Sequence, residues 1–307
     1  MVDRALTFAD PQIINMLQND FVPVAIDQWY QRRQQDAEGD FYRKIAGQGP
    51  RKDFNSTTQG RYICTPDGKL IAFNNNRGPE RIGRLMREAL DQFDAASLES
   101  VGPIESEEVD ERYDQRPPKN GLILRVNCKV LGGHRPTDDW TAVFHDAVGR
   151  DNVWFTEQEK HELAKVIADG GGDFPKELTQ RIARFHLNDF TRGEPPRWRP
   201  NEVKSIELTI AADGRIDGSA HLETADHKRG YRVSLLGQIK LTDGEFTQLD
   251  MVAKGNFWGT GPYTHFAPEG EFPVAIAFRL ADGSDPSDGM IPGGAKGNRH
   301  EYFSAAD

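Results

Sequence analysis

Cysteine is nearly absent: Cys64 and Cys128 are the only two in 307 residues. They share no paired spacing and fall in different expected domains, which excludes a disulfide framework. Each lies inside an apolar strand pattern, where a small buried thiol is the simple reading, and Cys64 is the better candidate for a reactive one. Long apolar runs are missing as well, since none approaches the roughly 18 residues of a membrane span. Met1-Val2-Asp3-Arg4 lacks the apolar core of a signal peptide. As it stands the chain reads as cytoplasmic and without membrane insertion; an exported chain from which a leader had been removed would read the same. Positive charge is in deficit, with a formal net charge of -10. That excludes a general electrostatic grip on nucleic acid or on anionic membrane, both of which need concentrated Lys and Arg. Neither an internal repeat nor a phosphate loop of the Walker type occurs.

What is present is a globular composition, 37% hydrophobic and 28% charged, in a chain long enough for two domains. The pattern divides it into a first domain at 1–95, an acidic linker at 96–118 and a second domain at 119–307. In the first, Asp10 before Pro11 is an N-cap with proline at the first helical position, and Ile13, Ile14 and Leu17 give the helix one apolar face. Phe21 to Ile26 is an apolar run expected to form a buried strand. Asp27 at its end either caps the following helix or is a buried acid with a raised pKa. A helix from Trp29 to Ala46 is expected to be interrupted near Gly39. Arg61 to Thr65 and Lys69 to Phe73 flank Pro66-Asp67-Gly68 as a hairpin. Pro79 opens a last helix with Ile82, Leu85, Met86, Ala89 and Leu90 on one face.

This order, with Ile26-Asp27-Gln28-Trp29 closing the central strand, resembles the thioredoxin-like fold over roughly residues 1–95. In that family a V-D-F-W segment is followed, four residues later, by the redox C-x-x-C. The corresponding place here is Arg33-Gln34-Gln35-Asp36, and Thr57-Thr58-Gln59-Gly60 stands where the family carries its cis-proline. The interval Ala46 to Gly60 is also too short for the family's extra strand and helix. The resemblance therefore implies an α/β layout without redox cysteines, and dithiol exchange needs two thiols that this position lacks. What the position offers instead is charge: Arg33 and Asp36, beside Trp29, form one candidate ligand or partner site.

The linker, rich in acids from Glu105 to Glu111 and ending in Pro117-Pro118, is expected to be an extended tether or a loosely docked segment. Beyond it, Leu122, Leu124, Val126, Cys128 and Val130 alternate with polar residues as a half-buried strand. Thr156 and Glu159 form a capping box, Gly170 to Gly172 end that helix, and Pro175 starts another with Leu178, Ile182 and Phe185 inward. Period-two alternation then persists to Leu280, punctuated by Asp213-Gly214 and Asp243-Gly244. The expected result is an α+β domain: an antiparallel meander of five or six strands, with two helices inserted after the first. It would form a curved sheet or a partial barrel.

Two groups of second-domain residues can carry chemistry. His134, Asp138, His145, Asp146 and His186 combine imidazole with carboxylate, the donor set of a divalent metal site or an acid-base pair, although without diagnostic spacing. The glycine-rich stretch from Gly255 to Phe266 brings Trp258, Tyr263, His265 and Phe266 into one loop, where aromatic side chains supply contact area at low entropic cost. The leading expectation is a redox-inactive, two-domain binding protein whose small-molecule or protein ligand sits in the β-rich domain. A metal-dependent or acid-base enzyme using the His/Asp group, and single-thiol chemistry at Cys64, are the alternatives. No cofactor other than a divalent metal is suggested.

Overall fold

The computed structural model describes residues 6–97, 110, 113 and 115–306. The chain divides into two compact units, Val2–Asp114 and Gln115–Asp307, the latter with Met1. The fold is mixed α/β, and among the described residues no helix is long and apolar enough to cross a membrane.

In the first unit, α1 (Pro11–Asn19) starts where Asp10 accepts from the Gln12 and Ile13 amides at 2.9 and 3.2 Å. A single turn, α2 (Gln28–Gln31), starts at Asp27, which accepts from the Trp29 amide at 2.9 Å, so the cap is its role. Asp36 caps α3 (Ala37–Ala46), whose Tyr42, Ile45 and Ala46 are buried. The hairpin of β1 (Arg61–Cys64) and β2 (Leu70–Asn74) is antiparallel. The amphipathic α4 (Pro79–Gln92) packs Ile82 and Met86 against Ile13, with Met16, Leu17, Phe21 and Ile63 around them.

Two expectations for this unit are corrected. Residues Phe21 to Ile26 belong to no strand, and the described sheet of the unit is the two-stranded hairpin alone. Apolar pattern is necessary for a buried strand but does not supply a neighbour, and Pro23 removes one of the amides that a central strand would need. The described elements of this unit are four helices, a 3-10 turn and the hairpin, and no central strand is among them. The break in the long helix falls at Arg32–Asp36 rather than at Gly39. Gly39 sits inside α3, where an added Cβ would lie 2.1 Å from the Gln34 carbonyl oxygen. The glycine thus permits the close approach of chain before and after the break.

Most of the expected acidic tether, 98–109, 111, 112 and 114, lies outside the described residues. Of its described residues, Asp110 accepts from the Gln35 amide at 2.9 Å and donates its own to Asp36 at 3.0 Å, and Tyr113 meets Tyr30 edge-on at 5.8 Å.

The second unit is built on one open antiparallel sheet of eight strands in the order β4-β3-β10-β9-β8-β7-β6-β5. The strands are β3 (Leu122–Val130), β4 (Val148–Phe155), β5 (Gly172–Asp173), β6 (Val203–Ile210), β7 (Arg215–Glu223), β8 (Gly230–Thr242), β9 (Glu245–Trp258) and β10 (Glu271–Leu280). The sheet does not close into a barrel, and it has more strands than the five or six expected. Strand β3 lies between β4 and β10, so the earliest strand joins the last. One face carries Leu124, Val126, Cys128, Leu235, Met251, Ala253, Ile276 and Phe278, all buried. Leu163 of α6 (Glu157–Ala168) and Leu178 of α7 (Lys176–Arg181) cover it, followed by a π-helical turn, Ile182–His186.

The segment after β10 holds the edge strand β4. On the outer face, Arg125 binds Asp282 and Asp288, Arg150 binds Asp285, and Asn152 donates to the carbonyls of Ser287 and Met290 at 2.8 and 3.0 Å. On the helix-covered face, the Gly293 amide donates to Asp151 at 2.8 Å. At Trp154 two side chains stand in for a missing neighbour strand. Its amide donates to the Tyr302 hydroxyl at 3.3 Å, and its carbonyl accepts from Arg181 at 3.0 Å. Sheet edges are commonly protected by such covering segments.

Candidate functional site

Strand order decides which loops meet. β3 ends, β4 begins, β9 ends and β10 begins at the same end of the sheet, so the connections 131–147 and 259–270 emerge together. The first contains a 3-10 turn, Trp140–Ala142, started by Asp139 accepting from the Thr141 amide at 2.7 Å, and then α5 (Val143–Asp146). Trp140 and Phe144 are therefore presented from consecutive turns. The second connection is held from beneath: Arg192, paired with the buried Asp189, donates to the carbonyls of Thr264 and His265. Thr264 is buried and accepts from the Gly261 amide at 2.7 Å. With these atoms fixed, Phe266 leaves the loop at a φ of 67°. That conformation is uncommon for a bulky residue, and strain of this kind concentrates at functional positions.

The rings that meet there are Trp140, Phe144 and Phe266. Trp140 stands edge-on to Phe266 with centroids 5.2 Å apart, and Phe144 stacks on Phe266 at 5.8 Å. Phe144 is buried, yet Trp140 is 51% exposed and Phe266 53%, and Tyr263 in the same loop is 75% exposed. His265 contacts Phe266 edge-on at 6.3 Å. Beside this cluster His134 and His145 stack at 4.9 Å with their planes 25° apart. Burial first, then the neighbouring His145 and Arg192, lowers the pKa of His134, with Asp189 acting in the opposite direction. His134 is thereby held neutral, and its Nε2 is buried without a hydrogen-bond partner.

The sequence candidates thus separate. His134, His145, His265 and Phe266 lie in these two connections, with Tyr263 exposed in the second. Trp258 instead packs on its own sheet: an added Cβ at Gly230 would come within 2.0 Å of its ring, Arg232 lies 4.6 Å from the ring centroid, and its indole donates to the His227 carbonyl at 3.1 Å. Asp138 is exposed, and Asp146 faces Lys129 at 3.7 Å. Among the described residues no three His, Cys, Asp or Glu side chains gather into a group able to hold a metal ion.

His186 is engaged elsewhere. It projects from the π-helical turn into the core, with Nδ1 3.1 Å from Asp151 and Nε2 2.8 Å from the Tyr302 hydroxyl. Since Tyr302 accepts from the Trp154 amide, its own proton goes to Nε2, and the imidazole with Nδ1–H satisfies every member of the chain. Burial raises the Tyr302 phenol well above its ordinary pKa. His186 and Tyr302 are completely buried, so this chain holds the sheet to the segment after β10.

In the first unit Arg33 and Trp29 bind each other, and Asp36 is engaged by Gln34, Gly39 and Asp110. The Arg33 guanidinium lies 3.6 Å from the Trp29 ring centroid and donates to the Trp29 carbonyl at 3.0 Å. Burial works against ionisation of Asp36, but hydrogen bonds from the Asp110 amide, Gln34 and the Gly39 amide outweigh it and lower its pKa. The thiols differ from reactive ones: burial, then Asp67, raises the Cys64 pKa, and burial raises that of Cys128 well above its ordinary value.

Sequence reasoning missed Trp140, Phe144 and Arg192. The first two stand four apart, a helical spacing that places them on one side, and this was the available signal. No family model, curated protein or solved structure matches the chain.

Proposed function

We propose that the chain is a binding protein whose site is the aromatic and histidine surface at one end of the eight-stranded sheet. The carrying observation is that Trp140 and Phe266 remain half exposed although Phe144, Thr264 and Arg192 fix their setting from below. Exposed rings on a fixed base are suited to stacking on an apolar ligand or on a side chain of a protein partner. His265, exposed and edge-on to Phe266, supplies a polar contact beside the rings. The raised thiol pKa values favour binding over thiolate chemistry, which needs the opposite shift. The first unit, read as a thioredoxin-like layout without redox cysteines, adds no dithiol activity.

Fluorine NMR of the chain labelled with 5-fluorotryptophan tests this, because its five tryptophans report separately. Against a set of small aromatic compounds, the Trp140 resonance, assigned by Trp140→Phe, is expected to shift with binders, and Phe266→Ala is expected to abolish that shift. Binders that move only the Trp29 or Trp258 resonance, or that bind Phe266→Ala equally well, would place the site elsewhere.

A further inference from the structure

Four arginines of the second unit are buried, and three of them touch a carboxylate. Arg181 binds Glu159, Arg184 binds Glu301 and Arg192 binds Asp189. Arg229 is only 5% exposed and forms no ion pair among the described residues. Burial lowers its pKa to about 10; Glu202 attracts it only from beyond ion-pair distance, and that carboxylate already accepts from the Arg199 amide at 2.9 Å. A buried cation without a counter-ion is costly, because its lost hydration is not replaced. The Trp198 ring, whose centroid lies 4.0 Å from the guanidinium carbon, replaces part of it.

The groups left over on Arg229 have a specific shape. Nη1 donates to the Pro196 carbonyl at 2.8 Å, whereas Nε and Nη2 have no acceptor among the described residues, and neither is sealed from solvent. Those two nitrogens form the side of a guanidinium that sets two parallel N–H groups against the two oxygens of a carboxylate. Arg125 uses the same side on Asp288, at 2.5 and 2.6 Å. The setting is fixed in advance. The Arg229 amide donates to Thr224 Oγ1 at 3.1 Å, its carbonyl accepts from the Thr224 amide at 2.9 Å, and the Trp198 indole donates to the Leu187 carbonyl at 2.9 Å. We infer that the Nε and Nη2 side of Arg229 binds the carboxylate group of a small ligand, which supplies the counter-ion that the chain itself does not. Neither Arg229 nor Trp198 belongs to the aromatic and histidine surface, so either reading can fail alone.

Urea unfolding of the full chain at pH 7 and fixed ionic strength tests this, with chloride replaced stepwise by acetate. The wild-type midpoint, read by near-ultraviolet dichroism, is expected to rise and to saturate, half of the rise being reached at about 10 mM acetate or below. Arg229→Lys keeps the charge but loses the paired N–H groups, so it should need at least about tenfold more acetate for half its rise. Arg229→Met should show only the gradual, unsaturating stabilisation that excluded salts give to any protein. If Arg229→Met does not fold, the wild type and Arg229→Lys still decide. A wild-type midpoint without a saturating response to acetate overturns the inference. So does a saturating response that Arg229→Lys reproduces at the same concentration, and so does saturation by phosphate but not by acetate, which would mark a site for a tetrahedral anion instead.

Discussion

Replacing Arg181 with Met isolates what holds the second unit at its β4 edge. The guanidinium is completely buried and donates to Glu159 at 2.6 and 2.8 Å, to the Trp154 and Tyr302 carbonyls at 3.0 and 2.8 Å, and to the Phe303 carbonyl at 3.2 Å. Methionine fills much of the space but supplies no donor. Glu159, itself buried, would retain only the Thr156 amide at 2.8 Å, and a buried carboxylate stripped of its partner costs about 3–5 kcal/mol. With a urea m value of about 2–3 kcal/mol/M for a unit of this size, the unfolding midpoint should fall by about 1–2 M. Near-ultraviolet dichroism reports the transition, because Trp154, Trp198 and Tyr302 are in that core. Adding Glu159→Gln keeps an acceptor for the Thr156 amide while removing the stranded charge. The double variant should therefore recover about 1–3 kcal/mol relative to Arg181→Met. A loss below about 1 kcal/mol for the single variant, or a double variant whose losses simply add, would refute the reasoning that charge burial dominates at this edge.

Stability should depend on pH through His134, whose pKa is lowered mainly by burial. A base that binds its proton less readily folded than unfolded makes the unfolded chain the better proton acceptor, so stability falls as pH drops below the ordinary histidine value of about 6.5. The decline is complete once pH passes below the folded pKa, and His134→Phe should flatten this part of a pH series of urea midpoints; an unchanged slope would remove His134 as its source. Cys64 should react with an aromatic disulfide reagent more slowly than an exposed thiol at neutral pH, and Cys128 only on unfolding. Neither should support insulin reduction; turnover abolished by Cys64→Ser would show that the thiol had been misjudged.

Local signals were legible in the sequence where the chain satisfies itself locally. Asp10 with Pro11, the Pro66-Asp67-Gly68 turn, Pro79, the Thr156 and Glu159 box and the alternation of Leu122 to Val130 all lie where the elements form. Strand β4 was not legible because Asp151 and Asn152 look like solvent-facing residues. Their partners are Gly293 and Ser287, 142 and 135 residues away, and no window of sequence contains both. The run Phe21 to Ile26 failed in the opposite direction, since its apolar pattern is intact but the described residues provide no ladder for it. For the candidate site, residue types were readable and proximity was not: Trp140 and Phe266 meet only because β10 sits beside β3.

The place of β3 beside β10 has a consequence for how the chain acquires its structure. Leu124 pairs with Leu280, so these two neighbouring strands are joined through residues 156 apart in sequence. During synthesis the first of them emerges with Leu124, Val126, Cys128 and Val130 uncovered, and it must wait for nearly the whole unit before its second neighbour exists. Long-range pairing of this kind slows folding, because loop closure is lost to entropy before contacts compensate for it. An apolar ribbon left waiting is also open to the wrong neighbour, including the same ribbon on another nascent chain. Yield of the native protein should therefore depend on how quickly translation delivers β10, and on chaperones that shield β3 until it arrives.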